Sequence, residues 1–255
     1  MRIDALLYKE GVFTSRSKAA EAVIDGLVSY KGQVILKPST IVDDFSLVTI
    51  NERSSTFVSN GGYKLEKALK DFNVSVTGLV FADIGASNGG FTDCLLKSGA
   101  KKVFAVDVGD TQLDKTLINN EKVIVTDNTN ARFLSEEILG ELVEGVTVDV
   151  SFISLTYILQ GVKNVLKSDG FAIFLIKPQF ECGKEYLGNS GIVKSVNARK
   201  NAVKKIYDAC IAQCLYPIDF TTAPIKEKKN VEYLILVKNN DNSKLLSFDK
   251  LISKI

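Results

Sequence analysis

The sequence predicts an α/β protein in which a small α+β unit precedes a larger, mostly parallel sheet. Three observations carry this prediction. Apolar segments alternate with helical segments from about residue 79 onward, the last two apolar segments have no helix between them, and a glycine-rich turn follows the first. Such alternation is typical of parallel sheets with helices on both faces. We place the two domains at residues 1–57 and 58–255.

The first unit begins with a predicted helix and continues in three short strands. The helix spans residues 15–24, with Ser15 as its N-cap, and ends before Gly26. Strands are predicted over 27–30, 33–36 and 46–50, with Lys31 and Gly32 in a tight turn. Residues 51–58 show no apolar period, so we expect a linker there.

The second unit is predicted to hold seven strands, preceded by a helix that ends near Phe72. The strands are expected over 79–83, 102–107, 122–126, 146–150, 170–177, 216–223 and 231–238. Helices are expected over 91–98, 111–118, 132–142, 155–167 and 196–214. Because no helix separates the last two strands, we expect them to form a hairpin that makes one strand antiparallel.

The turn over residues 83–92 (DIGASNGGFT) is the strongest functional signal. Its glycines let backbone N–H groups approach a ligand, and the helix start supplies unpaired donors. Asp107 follows the next strand, where a carboxylate can accept both hydroxyls of a ribose. The glycine spacing departs from the dinucleotide fingerprint, and Asp83 disfavours pyrophosphate and favours a cation such as S-adenosylmethionine. The alternative is a glycine-rich turn that binds nothing.

Composition excludes several kinds of site. The chain has no histidine, which excludes Ser-His-Asp and Cys-His catalysis. Its four cysteines show no C-x-x-C spacing, so we expect no metal and a reducing compartment. We find no signal peptide and no apolar run near the ~20 residues of a membrane helix, and expect a cytoplasmic protein without membrane contact. A net charge of +2 does not by itself predict nucleic-acid binding.

Four charged residues have apolar neighbours. Asp149 and Lys177 end predicted strands, Glu232 opens the last strand, and Lys64 lies in the helix before the first strand of the sheet. Ligands of open α/β sheets bind outside the carboxyl ends of the strands, so these residues should meet at one crevice. A lysine partly desolvated there has a lowered pKa and can take a proton from an alcohol. The alternative for each residue is a strand-end charge that meets water.

The first unit resembles a small RNA-binding domain found in ribosomal protein S-four, bacterial tyrosyl-tRNA synthetases and pseudouridine synthases. The resemblance rests on residues 2–7 (RIDALL), 15–19 (SRSKA), 24–28 (IDGLV), 31–32 (KG) and 37–39 (KPS). In that family the Ser-Arg-x-Lys-Ala helix contacts RNA phosphates. The resemblance therefore implies phosphate contacts for Arg16 and Lys18, and also for Arg2.

The second unit resembles the FtsJ-like ribose 2′-O-methyltransferases, a Rossmann-like class, and within them the TlyA family. The matching segments are 83–93 (DIGASNGGFTD), 106–109 (VDVG), 149–155 (DVSFISL), 177–181 (KPQFE) and 230–234 (NVEYL). The ordered set Lys64, Asp149, Lys177 and Glu232 matches the family's catalytic residues. The TlyA family joins both kinds of domain and methylates ribosomal RNA, and some members are labelled hemolysins.

This resemblance implies S-adenosylmethionine as cofactor and ribosomal RNA, within ribosomal subunits, as partner; no protein partner is expected. Lys177 would act as the base that takes the ribose proton. Lys64, Asp149 and Glu232 would orient this base and the ribose. The cofactor would be held by Asp83, Gly85, Ser87, Gly89, Gly90, Phe91, Thr92, Asp107, Val108, Asp127 and Asn128.

The sequence departs from the TlyA pattern at several asparagines. These are Asn60, Asn88, Asn128 and Asn197, and the loop over 225–230 lacks the family's glycines. The departures concern RNA positioning and cofactor affinity, because the four catalytic positions are intact. Two other functions stay open: a cytolysin that acts on membranes, and an RNA-binding ribosome-assembly factor without catalysis. Neither a membrane-spanning segment nor a long basic amphipathic helix supports the cytolysin.

Overall fold

The computed structural model describes residues 1–13, 16–24, 26–50, 56–110, 112–188, 191–225, 229–240 and 245–255. Within them the chain forms two compact units, Met1–Thr56 and Phe57–Ile255. Phe57, which we expected in the linker, is buried in the core of the second unit, so the division falls before it. Residues 51–55 of the predicted linker lie outside the described residues.

The first unit consists of two helices and a small antiparallel sheet. The helices are α1 (Ile3–Lys9) and α2 (Arg16–Ile24), and the strands are β1 (Val28–Tyr30), β2 (Gln33–Val34) and β3 (Val48–Ile50), in the order β2-β1-β3. No helix was expected at α1. Its signal is the spacing of Ile3, Leu6 and Leu7, which puts three apolar side chains on one buried face. The predicted cap Ser15 lies outside the described residues.

The second unit contains a seven-stranded sheet. Its strands are β4 (Val80–Ile84), β5 (Lys102–Val106), β6 (Val123–Thr126), β7 (Val143–Val148), β8 (Leu166–Ile176), β9 (Tyr216–Thr222) and β10 (Tyr233–Lys238). They are ordered β6-β5-β4-β7-β8-β10-β9, and only β10 runs antiparallel to its neighbours. The predicted fold class is confirmed, including the terminal hairpin.

Helices cover both faces of this sheet. They are α3 (Asn60–Asp71), α4 (Gly90–Lys97), α5 (Lys115–Ile118), α6 (Glu136–Leu139), α7 (Leu159–Val165), α8 (Pro178–Glu181), α9 (Val196–Ala212) and α10 (Phe248–Ile252). Side chains alternate along β4: Phe81 packs with α3 and α4, whereas Ala82 and Ile84 pack with α7 and α9. Burial on both faces explains why the strands read as continuous apolar runs.

Three predicted helices are shorter in the structure than in the sequence-based expectation, and one of them, over 155–167, divides into a 3-10 helix, Leu155–Tyr157, and α7. The segment 132–142 divides into a 3-10 helix, Ala131–Phe133, and α6, which ends at Gly140 in a left-handed conformation (φ 83°). Of the segment 111–118 the structure describes residues 112–118, and among these only α5 is helical; at its start the Asp114 side chain accepts a hydrogen bond from the Thr116 N–H at 2.9 Å. Helix α5 thus begins at a local polar contact, and helix α6 ends at a glycine that interrupts the helix.

The functional crevice opens where the strand order reverses, between β4 and β7. Chain segments leaving the two strands in opposite directions leave a gap outside their carboxyl ends. Beyond the ladder, Asp149 N–H still donates to the Ile84 carbonyl at 3.0 Å, and Gly85 N–H donates to the Val106 carbonyl at 2.8 Å. In the part of the chain described above, no helix is long and apolar enough to cross a membrane.

Candidate active site

The glycine turn after β4 is shaped by the chain segment that leaves β7. Gly85 has φ 80°, and a Cβ at this position would lie 2.6 Å from the Asp149 carbonyl oxygen. Gly89 has φ 88° and precedes α4, whose first residue is Gly90. A side chain at Gly85 would therefore strain the backbone and push the β7 end away. The turn needs this glycine because two strand ends pass close together.

A cavity of about 570 Å³ lies beside this turn. Asp107 is at its edge, and its carboxylate accepts hydrogen bonds from the N–H groups of Ser87 (2.9 Å) and Gly109 (3.3 Å). Of the predicted cofactor residues, Gly85, Ser87, Asp107 and Val108 line the cavity. The turn and the acid after β5 thus meet at one cavity, as the sequence suggests.

Other predicted cofactor residues lie outside the cavity wall. Gly89, Gly90, Phe91 and Thr92 form the start of α4, and Asp127 and Asn128 follow β6. The wall includes a stretch that sequence reasoning missed, namely Thr129, Asn130, Ala131 and Arg132. No local pattern marks that stretch. Its position depends on the 3-10 helix that follows Asn130.

Asp83 lies beneath the turn rather than facing the cavity. Its carboxylate is fully buried and accepts hydrogen bonds from the hydroxyls of Thr92 (2.7 Å) and Thr147 (2.9 Å). Burial raises the pKa of Asp83 to about 7, although the two hydroxyls oppose the change. Asp83 therefore ties the start of α4 to β7, a role that the sequence did not suggest.

The four predicted catalytic side chains form two ion pairs. Lys64 Nζ lies 2.6 Å from Glu232 Oε2, and Lys177 Nζ lies 2.6 Å from Asp149 Oδ1. Their side chains are 11–23% exposed, so each charge is largely desolvated yet within reach of a ligand. Lys177 Nζ also donates to Ser151 Oγ at 2.8 Å. That hydrogen bond is aligned, whereas the contact with Asp149 is close but poorly aligned.

The sheet brings these residues together from distant parts of the chain. Asp149 follows β7 and Lys177 follows β8, which run parallel side by side. Glu232 precedes β10, whose first residue Tyr233 pairs with Ile176. Lys64 lies on α3, which packs on the same unit's sheet.

Lys64 is held in its charged form. Burial alone would lower its pKa, but the nearby carboxylates of Asp149 and Glu232 outweigh burial, and the pKa is raised above its ordinary value. Asp149 belongs to the other ion pair, so the two pairs act on each other electrostatically. Lys64 is therefore a fixed positive charge between two acids.

A second, larger cavity of about 1060 Å³ adjoins Lys64 and Glu232. Its wall carries three further lysines, Lys67, Lys70 and Lys229, and two further acids, Glu66 and Asp71, the latter paired with Lys67. Asp149 lines the smaller cavity, while Lys64 and Glu232 line the larger one. The four charged residues thus stand between a cavity beside the glycine turn and a larger cavity lined by both lysines and acids.

Phe152 is a residue that sequence reasoning missed. It lies in the segment after Asp149, is 90% exposed, and adopts a left-handed conformation with φ 65°. Its ring centroid is 5.1 Å from that of Phe180, which follows Lys177 closely in the chain. An exposed aromatic ring in a conformation that costs on the order of 1–3 kcal/mol is a feature of ligand-binding sites.

In the first unit, Arg2 and Arg16 converge on the buried Asp4. Their guanidinium nitrogens lie 2.9 and 3.2 Å from Asp4 Oδ2, and both arginine side chains are about half exposed. These hydrogen bonds outweigh burial and lower the pKa of Asp4. The side chain of Lys18 lies outside the described part of the structure. Among the described residues, no group of three or more acidic, cysteine or histidine side chains could hold a metal ion.

Comparisons with known proteins match both units. The family model for FtsJ-like methyltransferases matches residues 57–240, and the S4 domain model matches residues 1–48. The 16S/23S rRNA (cytidine-2'-O)-methyltransferase TlyA of Mycobacterium tuberculosis is 36% identical over 96% of this chain and 92% of its own. Hemolysin A of Brachyspira hyodysenteriae is 38% identical over 92% of this chain and 98% of its own.

A solved structure agrees with these matches. A protein from Streptococcus thermophilus, provisionally named a hemolysin, superposes with a TM-score of 0.77 at 35% identity, covering 99% of this chain and 94% of its own. The resemblance read from the sequence motifs is therefore confirmed. With an S4 domain ahead of its larger unit, the chain belongs to the FtsJ-like methyltransferase family.

Proposed function

We propose that this protein transfers a methyl group from S-adenosylmethionine to a ribose 2′-hydroxyl of ribosomal RNA. The observation that carries the proposal is the placement of the pairs Lys177–Asp149 and Lys64–Glu232 between the two cavities. Membership of the family supports methyl transfer. The activity named for the Mycobacterium tuberculosis relative supports ribosomal RNA as the substrate, which would place the protein in the cytoplasm.

The smaller cavity is the cofactor site in this proposal. Gly85 lets the turn pass close to the Asp149 backbone at the cavity wall, where a Cβ would clash, and Asp107 presents a carboxylate that can accept hydrogen bonds from ribose hydroxyls. We assign direct contacts to Gly85, Ser87, Asp107 and Val108. When bound, S-adenosylmethionine supplies an electrophilic methyl group on a positively charged sulfur. Of the remaining predicted residues, one group shapes the turn: Asp83, Gly89, Gly90, Phe91 and Thr92. We propose that Asp127 and Asn128 approach the adenine of S-adenosylmethionine.

Lys177 is the residue to which we assign proton acceptance. Its Nζ takes the proton that the ribose 2′-hydroxyl loses, and Asp149 and Ser151 hold that nitrogen in place. Lys64 is held in its charged form because its pKa is raised, so we do not assign it the role of base. It instead holds Glu232 and balances the charge of Asp149.

The larger cavity is the entry for the RNA strand. Lys67, Lys70 and Lys229 on its wall can neutralise phosphates on either side of the target ribose. The exposed ring of Phe152 offers a face on which a base can stack. Both kinds of contact are tolerant of sequence, so neither identifies the target nucleotide.

The first unit supplies further contacts to ribosomal RNA. Arg2 and Arg16 share Asp4 but keep exposed guanidinium edges that can bind phosphate. Lys18, which follows Arg16 on α2, is proposed for the same role from the family motif. Ribosomal subunits are the proposed form in which the RNA is met.

The direct test replaces the proposed base. We expect Lys177→Ala to abolish 2′-O-methylation of ribosomal RNA while S-adenosylmethionine binding, measured by calorimetry, is retained. Lys204→Ala is the matched control, because Lys204 is exposed and its contacts, an ion pair with Asp208 and the Phe248 ring, do not involve the four charged residues. Full methyl transfer by Lys177→Ala would refute the assigned role.

The same preparations separate the other candidate functions. A parent protein that does not bind S-adenosylmethionine would indicate an RNA-binding factor without catalysis. Lysis of red cells by the purified protein, equal in Lys177→Ala, would indicate the cytolysin. Mapping 2′-O-methyl sites in ribosomal RNA from cells with and without the gene identifies the nucleotide.

A further inference from the structure

Glu181 is a buried carboxylate that the proposed reaction does not use. It ends α8, four residues after Lys177, and its side chain is only 1% exposed. A buried charge of this kind is costly unless it is paired and hydrogen-bonded. The contacts of Glu181 therefore indicate what it stabilises.

Every side-chain partner of Glu181 lies on another chain segment. Its carboxylate accepts hydrogen bonds from Ser154 Oγ (2.6 Å), the Leu155 backbone N–H (2.8 Å) and Lys205 Nζ (3.0 Å). Lys205 also donates to Ser154 Oγ at 3.1 Å and to the Glu181 carbonyl at 3.3 Å. The three side chains form a closed network, which we name the Glu181 clamp: Glu181, Ser154 and Lys205.

The clamp joins the two segments that carry the Lys177–Asp149 pair. The parallel ladder of β7 and β8 ends at Val148 and Phe174, so Asp149 and Lys177 lie beyond the last strand hydrogen bonds between these strands. Ser154 belongs to the segment after Asp149, and Glu181 belongs to the helix after Lys177. Between Asp149 and Ser154 in the chain lie Ser151, which contacts Lys177, and the exposed Phe152. The clamp thus connects the strand ends where the sheet no longer does.

We propose that Glu181, supported by Lys205, is a positioning residue that holds Asp149 and Lys177 at the distance methyl transfer requires. This inference rests on the proposed function of the Lys177 site. Neither Glu181 nor Lys205 touches the reacting atoms in this scheme. A displacement near 1 Å at a reacting group can cost about 100-fold in rate, so a loosened clamp should act on the chemical step.

The test compares Glu181→Gln with a matched carboxylate at the other edge of the same sheet. Glu144 also accepts a backbone N–H, that of Val80 at 2.8 Å, and also pairs with a lysine, Lys167. It follows the first residue of β7, away from the carboxyl ends of the strands. Glu144→Gln therefore removes a similar charge-assisted contact without touching the clamp.

We expect kcat for ribosomal RNA to fall about 100-fold in Glu181→Gln, at equal folded fraction, with KM for RNA and the Kd for S-adenosylmethionine changed less than threefold. Glu144→Gln should keep kcat within twofold of the parent. Lys205→Ala leaves Glu181 with two donors and should lower kcat about tenfold, and it serves as the test if Glu181→Gln does not fold. Lys204→Ala, at the neighbouring position, should have no effect.

The proposal is overturned if kcat for Glu181→Gln stays within twofold of the parent. It is also overturned if cofactor binding falls as much as kcat does, or if Glu144→Gln lowers kcat by the same factor. If Glu181→Gln does not fold, an unchanged kcat in Lys205→Ala overturns it. If the parent protein and the clamp variants methylate RNA equally well, only the role of the clamp is refuted. If the parent protein does not transfer methyl groups, the proposed function itself is refuted.

Discussion

Replacing Asp83 by asparagine should change how the stability of the second unit depends on pH. The carboxylate is buried between the hydroxyls of Thr92 and Thr147, and its pKa is raised from 3.8 to about 7, chiefly by burial. Between these two pH values the folded state binds a proton that the unfolded state releases. The contribution of Asp83 to the free energy of unfolding therefore decreases as pH rises from 4 to 7.

The magnitude follows from the pKa. Each unit corresponds to about 1.4 kcal/mol, and the folded group is still half protonated at pH 7, so Asp83 should lower the free energy of unfolding by about 3 kcal/mol between pH 4 and pH 7. Asparagine has nearly the same shape and can accept from one threonine hydroxyl and donate to the other, but it does not titrate. The stability of Asp83→Asn minus that of the parent should therefore rise by about this amount across the interval.

Urea denaturation followed by circular dichroism, at several pH values, measures this difference. Carboxylates whose pKa is lowered in the folded state, such as Asp4 and Glu144, lose their contribution as pH falls, but they are common to both proteins and cancel. Asp169→Asn, which makes the same substitution at an exposed carboxylate, is the control. A difference for Asp83→Asn that stays within about 0.5 kcal/mol at all pH values would refute the argument from burial.

Three further predictions concern the site. Gly85→Ala should lower the free energy of unfolding by about 2 kcal/mol or more and abolish methyl transfer, because its Cβ would meet the Asp149 carbonyl. The control is Gly78→Ala, at a glycine with φ 77° and open space around it, which should lower the free energy of unfolding by about 1 kcal/mol and keep activity. Equal activities would contradict the role of the turn. Phe152→Ala should change stability by less than about 0.5 kcal/mol yet lower RNA methylation about tenfold with unchanged cofactor binding, and unchanged methylation would exclude stacking. Arg16→Ala leaves Asp4 paired with Arg2 and should reduce the salt dependence of RNA binding by about one phosphate contact; an unaltered slope would exclude that contact.

The local signals in the sequence were sufficient for the sheet. Strands buried on both faces need continuous apolar runs, and the glycine turn and the final hairpin have short-range patterns, so the number of strands and the one antiparallel strand could be predicted. Helix α1 shows where such reading fails. Its apolar spacing is present, but a helix of seven residues is too short for the periodicity to stand out from its surroundings.

The site divides in the same way. Lys64, Asp149, Lys177 and Glu232 could be selected because charges at the ends of apolar strands are conspicuous, and parallel strands bring their carboxyl ends to one edge. Which acid pairs with which lysine could not be predicted, because it depends on distances across the sheet. The fully buried position of Asp83 and the exposure of Phe152 depend likewise on how the segment after β7 passes the turn.

The sequence by itself thus determined the two-unit organisation, the seven-stranded sheet, the family and the residues that meet at its edge. These depend on short-range patterns of apolar, glycine and charged residues, which can be read along the chain. The tertiary structure alone decided the two ion pairs, the placement of the cavities on either side of them, and the Glu181 clamp. The physical reason is that desolvation and hydrogen bonding act between residues brought together by packing, such as Ser154, Glu181 and Lys205, which lie far apart in the chain.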